Sequence, residues 1–398
     1  MKATAARVSS FGANPFATMT QLANESGAVN LGQGFPDYAP PAFVLEAAQQ
    51  AHAALYDTAH HQYAPPKGWP RLQRAVSGTL ADRLGFTPDP DAEITITHGA
   101  TEAMHATIQA LIEPGEEVIV LEPMYDMYVP QIEFAHGVAV FVALERQAKT
   151  WTLDLERLRA ACSNRTKALI LNSPHNPTGK VFSRTELEGI AALALEFDFF
   201  VLSDEAYDRL IFGVPHIPIA SLPGMRDRTV TIGSGGKTFN VTGWRIGWAV
   251  ANPEVSAAIR RGHQWVPFTV STPVQEAIAL CLERAPGLNY FSDLPSGLKT
   301  KRDFLLEVLR AANLEPEVPD GGYFIITETS RFAPHTDAAA QRFVKEFGIA
   351  AIPMTVFYAP VHKHLAPNCL RFAFCKSEIT LEAAAKKFLH PEFSRAKL

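Results

Sequence analysis

The chain has 398 residues, 47% hydrophobic and 19% charged, with a formal net charge of −5 and a pI near 6.2. This is the composition of a soluble enzyme; mild acidity without basic runs excludes nucleic acid as the main partner, and no uncharged apolar run reaches the ~18 residues of a membrane span. The size predicts two domains, and Met1–Ser10 lacks the apolar core of a secretory signal. Cys162, Cys281, Cys369 and Cys375 form no C-x-x-C pair, so reduced thiols in the cytoplasm are expected.

In chain order, residues 1 to about 30 read as an irregular arm, broken by Asn14-Pro15-Phe16 and Gly27. A Gly- and Pro-rich loop, Val29–Pro41, precedes a stretch of helical composition from Ala42 to Tyr56. Tyr63 lies in another irregular segment, and Leu72–Leu84 is periodic as a helix. Ile94–Thr97 is a strand that runs through Gly99-Ala100-Thr101 into an Ala/Met/Ile/Leu helix. A strand, a glycine turn and a helix start leave free N–H groups that bind phosphate, although a plain βα turn has the same pattern.

Further strands are expected at Glu117–Leu121, ending in Pro123-Met124-Tyr125, and at Lys167–Leu171, ending in the amide-rich turn Asn172–Gly179. Ser183-Arg184-Thr185-Glu186 is a capping box opening a helix to about Phe197. Phe199–Leu202 ends in Ser203-Asp204-Glu205-Ala206-Tyr207, and the strand from Val230 ends in Gly233-Ser234-Gly235-Gly236-Lys237, with Arg245 close behind. Gly236-Lys237-Thr238 looks like the tail of a nucleotide P-loop, but Thr231 stands where that motif needs glycine. After about Tyr290 the pattern becomes α+β: a helix over Leu298–Ala312, strands at Gly321–Ile326 and Cys369–Phe374, and a short β segment over Gly348–Pro353. Arg371 is a lone cation in apolar chain, either an edge salt bridge or a carboxylate clamp.

Strands alternating with helices predict a largely parallel sheet covered on both faces, with ligands outside the strands' carboxyl ends. Every polar cluster named above follows a strand, so they can converge on one crevice. A lysine, an anion cradle, an aspartate, a tyrosine three residues on and an aromatic after another strand suit pyridoxal 5'-phosphate. Lysine forms a Schiff base with its aldehyde, and an aspartate pairs with its ring nitrogen. Tyr125 can stack on the ring, Asn176 and Tyr207 can donate to its 3-oxygen, and Arg371 can grip an α-carboxylate.

With these residues the sequence resembles the class I aminotransferases of the fold type I pyridoxal-phosphate enzymes. The resemblance is carried by Gly32–Asp37, His98–Ala103, Asn172–Gly179, Ser203–Tyr207, Gly236–Phe239, Thr242–Arg245 and Arg371, across nearly the whole chain. Looser signatures are similar to the branch of methionine and kynurenine aminotransferases and glutamine transaminase K: Phe35-Pro36-Asp37, His263-Gln264 with Phe268, and Ala351–Phe357. The resemblance implies an α/β fold with a mostly parallel seven-stranded sheet between helices plus a smaller α+β domain. It divides the chain into an arm (1–41), a large cofactor-binding domain (42–290) and a small domain (291–398).

It also implies Lys237 as the Schiff-base lysine and proton carrier, with Asp204 and Tyr207 beside it and Asn172 supporting Asp204. Gly99, Ala100, Thr101, Ser234 and Arg245 would hold the phosphate; Arg245 stands where many relatives have lysine, and the charge is kept. Tyr63 would reach the phosphate of a partner subunit in a homodimer, and Gly34, Asn176 and Arg371 would take the α-carboxylate. The implied reaction is transamination between an amino acid and a 2-oxo acid. Phe16, Tyr38, Tyr125 and Phe268 offer aromatic surface, and no second arginine for a dicarboxylate is identifiable, so bulky neutral substrates are expected, methionine first, then aromatic amino acids, histidine, kynurenine or glutamine. β-Elimination from cysteine S-conjugates or cystathionine is the runner-up, and a non-catalytic cofactor-binding regulator the outsider. His60-His61 and His362/His364, read as lacking nearby carboxylates, are expected to be surface groups with no metal.

Overall fold

The computed structural model describes all residues except 1–4, 6–7, 9–11, 13, 54–60 and 397–398. The strands are β1 (Val29–Asn30), β2 (Ile94–Thr97), β3 (Glu117–Glu122), β4 (Val138–Ala143), β5 (Glu145–Gln147), β6 (Thr150–Thr152) and β7 (Thr166–Asn172). There follow β8 (Phe200–Asp204), β9 (Thr229–Ser234), β10 (Gly247–Val250), β11 (Phe324–Glu328), β12 (Ile349–Ala350), β13 (Ile352–Pro353) and β14 (Cys369–Ala373).

The main sheet has seven strands in the order β2-β10-β9-β8-β7-β3-β4. All its pairings are parallel except the two made by β10. Its inner strands are apolar on both faces, as a sheet covered by helices on each side requires. Val118 and Val120 pack on one side with Met104, Ile108, Val255 and Ile259. Ile119 and Leu121 pack on the other with Leu187 and Ile190. A second sheet, β11-β14-β13, belongs to a Phe-rich core with the Tyr290–Ala311 and Glu378–Phe388 helices. β1 pairs in parallel with β12 and ties the amino-terminal segment to that part.

Several local expectations are corrected. The stretch read as irregular arm contains a helix, Pro15–Glu25, because Asn14 accepts from the amides of Phe16 and Ala17 and Pro15 takes the first turn. The helix expected from Leu298 begins at Tyr290, and Pro295 sits inside its second turn, where it cannot donate back to the Phe291 carbonyl. The helix from Ala42 ends at His52, and the rest of that expectation lies outside the described residues. Gly348–Pro353 is two strands in two sheets. β4, reading VAVFVA, is not among the expected strands although its Val- and Phe-rich run has strand composition.

His362 is not an isolated surface group, because its Nδ1 lies 2.7 Å from the buried Glu122 carboxylate at the end of β3. Glu122 also accepts from the amide of Ala359, and the amide of Met124 donates to the carbonyl of Phe357. His60 lies outside the described residues. Among the described residues no helix is long and apolar enough to cross a membrane.

The antiparallel β10 starts where its neighbours end, so Arg245 arrives at the same edge as the other strands' carboxyl termini. Gly247 makes this fit possible: a Cβ there would lie 2.4 Å from Gly99 C and 2.5 Å from Ala100 N. We expect Gly247→Ala to destabilise the protein by about 1–3 kcal/mol in urea unfolding, the scale of overpacking, and to weaken anion binding at Ala100.

Candidate active site

Adjacent registers of β7 and β8 set Asn172 opposite Asp204. Asn172 Nδ2 donates to the Asp204 carbonyl at 2.9 Å, and its Oδ1 accepts from the Asn176 amide at 2.7 Å. Asn176 Oδ1 in turn accepts from Arg371 at 2.7 Å. The Asp204 carboxylate is buried, and accepts from Tyr128 Oη at 2.7 Å and the Ala206 amide at 3.1 Å. Burial pushes its pKa above the ordinary carboxylate value despite those donors.

Arg371 is 1% exposed on the central strand of the smaller sheet. The edge-salt-bridge alternative is overturned, since its guanidinium meets Asn176 and the Gly32 carbonyl, and no ion pair among the described residues involves it. Its Cζ lies 3.8 Å from the Phe324 ring centroid and 5.3 Å from that of Phe16. Burial brings its pKa down to about 10, and its Nε is buried without a partner. A desolvated cation stacked on aromatic rings and missing one acceptor is placed for an incoming carboxylate.

Lys237 stands on a single helical turn, Gly235–Thr238, directly after β9. A Cβ on Gly236 would come within 3.0 Å of Thr242 Cα, so the turn packs too tightly for a side chain there. Lys237 Nζ donates to Tyr323 Oη at 2.7 Å and to the Gly34 carbonyl at 3.1 Å. Burial first, then the charges of Arg371 and Arg245, bring its pKa down to about 8.

The end of the site expected to take an anion is the start of the Gly99–Leu111 helix. Gly99 has φ +77°, and a Cβ on it would lie 2.6 Å from an Arg245 guanidinium nitrogen. Arg245, itself left-handed at φ 54°, donates to the carbonyls of Thr242 and His98. Glu102 accepts from the His98 amide and from His263, fixing the helix start.

These groups line a cavity of about 390 Å³, together with Phe16, Gly34, Ala100, Thr101, Tyr125, Asn172, Tyr207 and Ser234. Gly99, expected among the phosphate ligands, is not among the residues lining the cavity. Tyr63 and Phe268 are outside it, 79% and 46% exposed, with ring centroids 5.3 Å apart. Tyr38 is also outside it, its ring under Lys301. Sequence reasoning missed Tyr128, Tyr323 and Asp126. Asp126 lines the cavity, and burial raises its pKa to about 6. The run Tyr125-Asp126-Met127-Tyr128 was the available signal for two of the three.

The family model for aminotransferase class I and II matches residues 26–388. The human kynurenine–oxoglutarate transaminase 1 is 38% identical, over 94% of each chain. The N-succinyldiaminopimelate aminotransferase of Mycobacterium tuberculosis superposes with TM-score 0.92 at 38% identity, over 97% of this chain and 99% of its own. YbdL of Escherichia coli, a methionine aminotransferase, gives 0.91 at 34%, over 98% and 100%.

Asp204→Asn removes a buried charge and keeps its shape. Because folding raises the pKa of Asp204, the ionised group destabilises the cofactor-free fold at pH values above that pKa. The amide should therefore raise stability at neutral pH and leave it unchanged in acid, where the wild-type carboxyl is protonated in both the folded and unfolded chain, as measured by urea unfolding.

Proposed function

The chain is an aminotransferase of the class I and II family with fold type I architecture, and from that premise we propose that it transfers the amino group of a bulky neutral L-amino acid, methionine favoured, to a 2-oxo acid in two half-reactions, using pyridoxal 5'-phosphate. Aromatic amino acids, histidine, kynurenine and glutamine fall in the same substrate class. The observation that carries the reading is one amine of lowered pKa, Lys237, sharing a cavity with a buried carboxylate that forms no ion pair among the described residues.

The residues present fit that cofactor. Asp204 is a buried anion suited to a protonated ring nitrogen, and the Ala100 and Thr101 amides, Ser234 and Arg245 suit a phosphate. Asn176 and Tyr207 would donate to the ring's 3-oxygen, with Tyr207 kept protonated because burial raises its pKa. Tyr125 would cover the ring face. When bound, the cofactor supplies an aldehyde for the amine and a ring that withdraws electrons from the reacting carbon. Lys237 Nζ takes the proton from the substrate's α-carbon and returns it to complete the transfer. Arg371, with Asn176 and Gly34, holds the α-carboxylate, fixing which bond at the α-carbon faces Lys237.

The neutral-substrate reading rests on the lining. Its arginines are Arg245 and Arg371, both assigned above, while Asp126 offers a carboxylate that repels a second acidic group. In the same reading residues 1–41 are an arm, 42–290 a large domain and 291–398 a small domain. The protein works in the cytoplasm as a homodimer, with Tyr63 and Phe268 serving the partner's site; their exposure beside each other supports this.

The test is the absorbance of the purified protein before and after L-methionine, without oxo acid. A visible band that methionine bleaches to the amine form of the cofactor is expected. A band left unchanged would move the reading to other donors, and release of pyruvate and ammonia from a cysteine S-conjugate would move it to elimination. Lys237→Ala should lower turnover by at least ~10²–10⁴. Arg371→Lys keeps the charge but loses the fork, and should raise KM for the amino acid roughly 10–100-fold, the scale of charged hydrogen bonds.

A further inference from the structure

Tyr323 lies on the turn before β11, 2% exposed, with its ring centroid 5.1 Å from that of Tyr207 and 4.9 Å from that of Phe324. Its Oη is 2.6 Å from the Gly34 carbonyl. A carbonyl oxygen can only accept, so the single phenol proton lies on that contact. Towards Lys237 Nζ, at 2.7 Å, the phenol oxygen is therefore an acceptor. The Gly34 carbonyl is the second acceptor for the same nitrogen, at 3.1 Å. A neutral primary amine has two N–H bonds and one lone pair. The three distances place both oxygens on one side of the nitrogen, so its N–H side is held there and its lone pair is turned away from them, on the side left for the cavity that Lys237 lines.

We propose that Tyr323 is a positioning residue: with the Gly34 carbonyl it holds the free Lys237 amine from its N–H side and turns the lone pair to the cavity. The inference rests on Lys237 being the reactive amine. The three groups come from distant parts of the chain: Gly34 after β1, Lys237 after β9 and Tyr323 before β11. Gly34 is confined as well, since a Cβ there would lie 2.7 Å from the Phe324 ring. Orientation of the amine thus depends on all three segments being seated together.

The test is competitive acetylation of the full-length, cofactor-free protein with trace acetic anhydride across pH, with Lys237 followed by mass spectrometry. Only the neutral amine reacts, so the profile yields a midpoint and a plateau. Wild type should show a midpoint at about 8. In Tyr323→Phe, which keeps the ring contacts, the plateau should fall roughly three- to tenfold through lost orientation. Its midpoint should drop by about half to one pH unit, because an acceptor that favours the ammonium form is gone. Lys149, exposed, serves as the internal labelling reference, and an unchanged urea-unfolding midpoint certifies the fold of the variant. An unchanged plateau and midpoint in the variant would overturn the proposal. Absence of a pyridoxal-phosphate band would remove the cofactor reading without altering this labelling, so the two failures are distinguishable.

Discussion

A buried carboxylate and a buried guanidinium share one cavity without neutralising each other. Arg371 reaches the backbone carbonyl of Asp204 through the amides of Asn172 and Asn176, while the Asp204 carboxylate is held apart from that chain by Tyr128 and the Ala206 amide. Direct pairing would satisfy both charges and leave neither for a ligand. Burying them apart costs desolvation energy, which the surrounding fold must offset. The shifted titrations of Asp204, Lys237 and Arg371 are expressions of that imposed separation, each dominated by burial.

The separation is stable because the groups sit on rigid supports. Asp204 and Asn172 end paired central strands, while Arg371 lies mid-strand in the other sheet, clamped by the rings of Phe16, Phe324 and Phe357. One reversed strand, β10, completes the arrangement by delivering Arg245 to the edge where the parallel strands end. The glycine pair Gly99 and Gly247 lets that strand and the helix start touch through their backbones.

Much of this was legible in the sequence because the groups follow short apolar runs, and a parallel sheet gathers such positions at one edge. Asn172, Asp204, Ser234 and Lys237 were found that way. Tyr128 was not, since its hydroxyl reaches Asp204 from a helix whose orientation no local pattern announces. Tyr323 was hidden for a related reason: its partners are 86 and 289 residues away in sequence. Asn14-Pro15 was read as a breaker although it starts a helix, because the same two residues serve both purposes. The pairing of His362 with Glu122 joins residues 240 apart, beyond any periodicity argument.

That last contact has a mechanical consequence. Glu122 and Met124 immediately precede the cavity-lining run that begins at Tyr125, and both are fastened to the 357–362 segment, by a side chain in one case and backbone in the other. Displacement of that segment would pull on the strand end from which Tyr125 and Asp126 project. The cavity wall at Tyr125 and Asp126 is therefore not an independent loop. It shares its elasticity with the carboxy-terminal third of the chain, so substitutions around Phe357 or His362 can retune selectivity without touching a single group in the cavity.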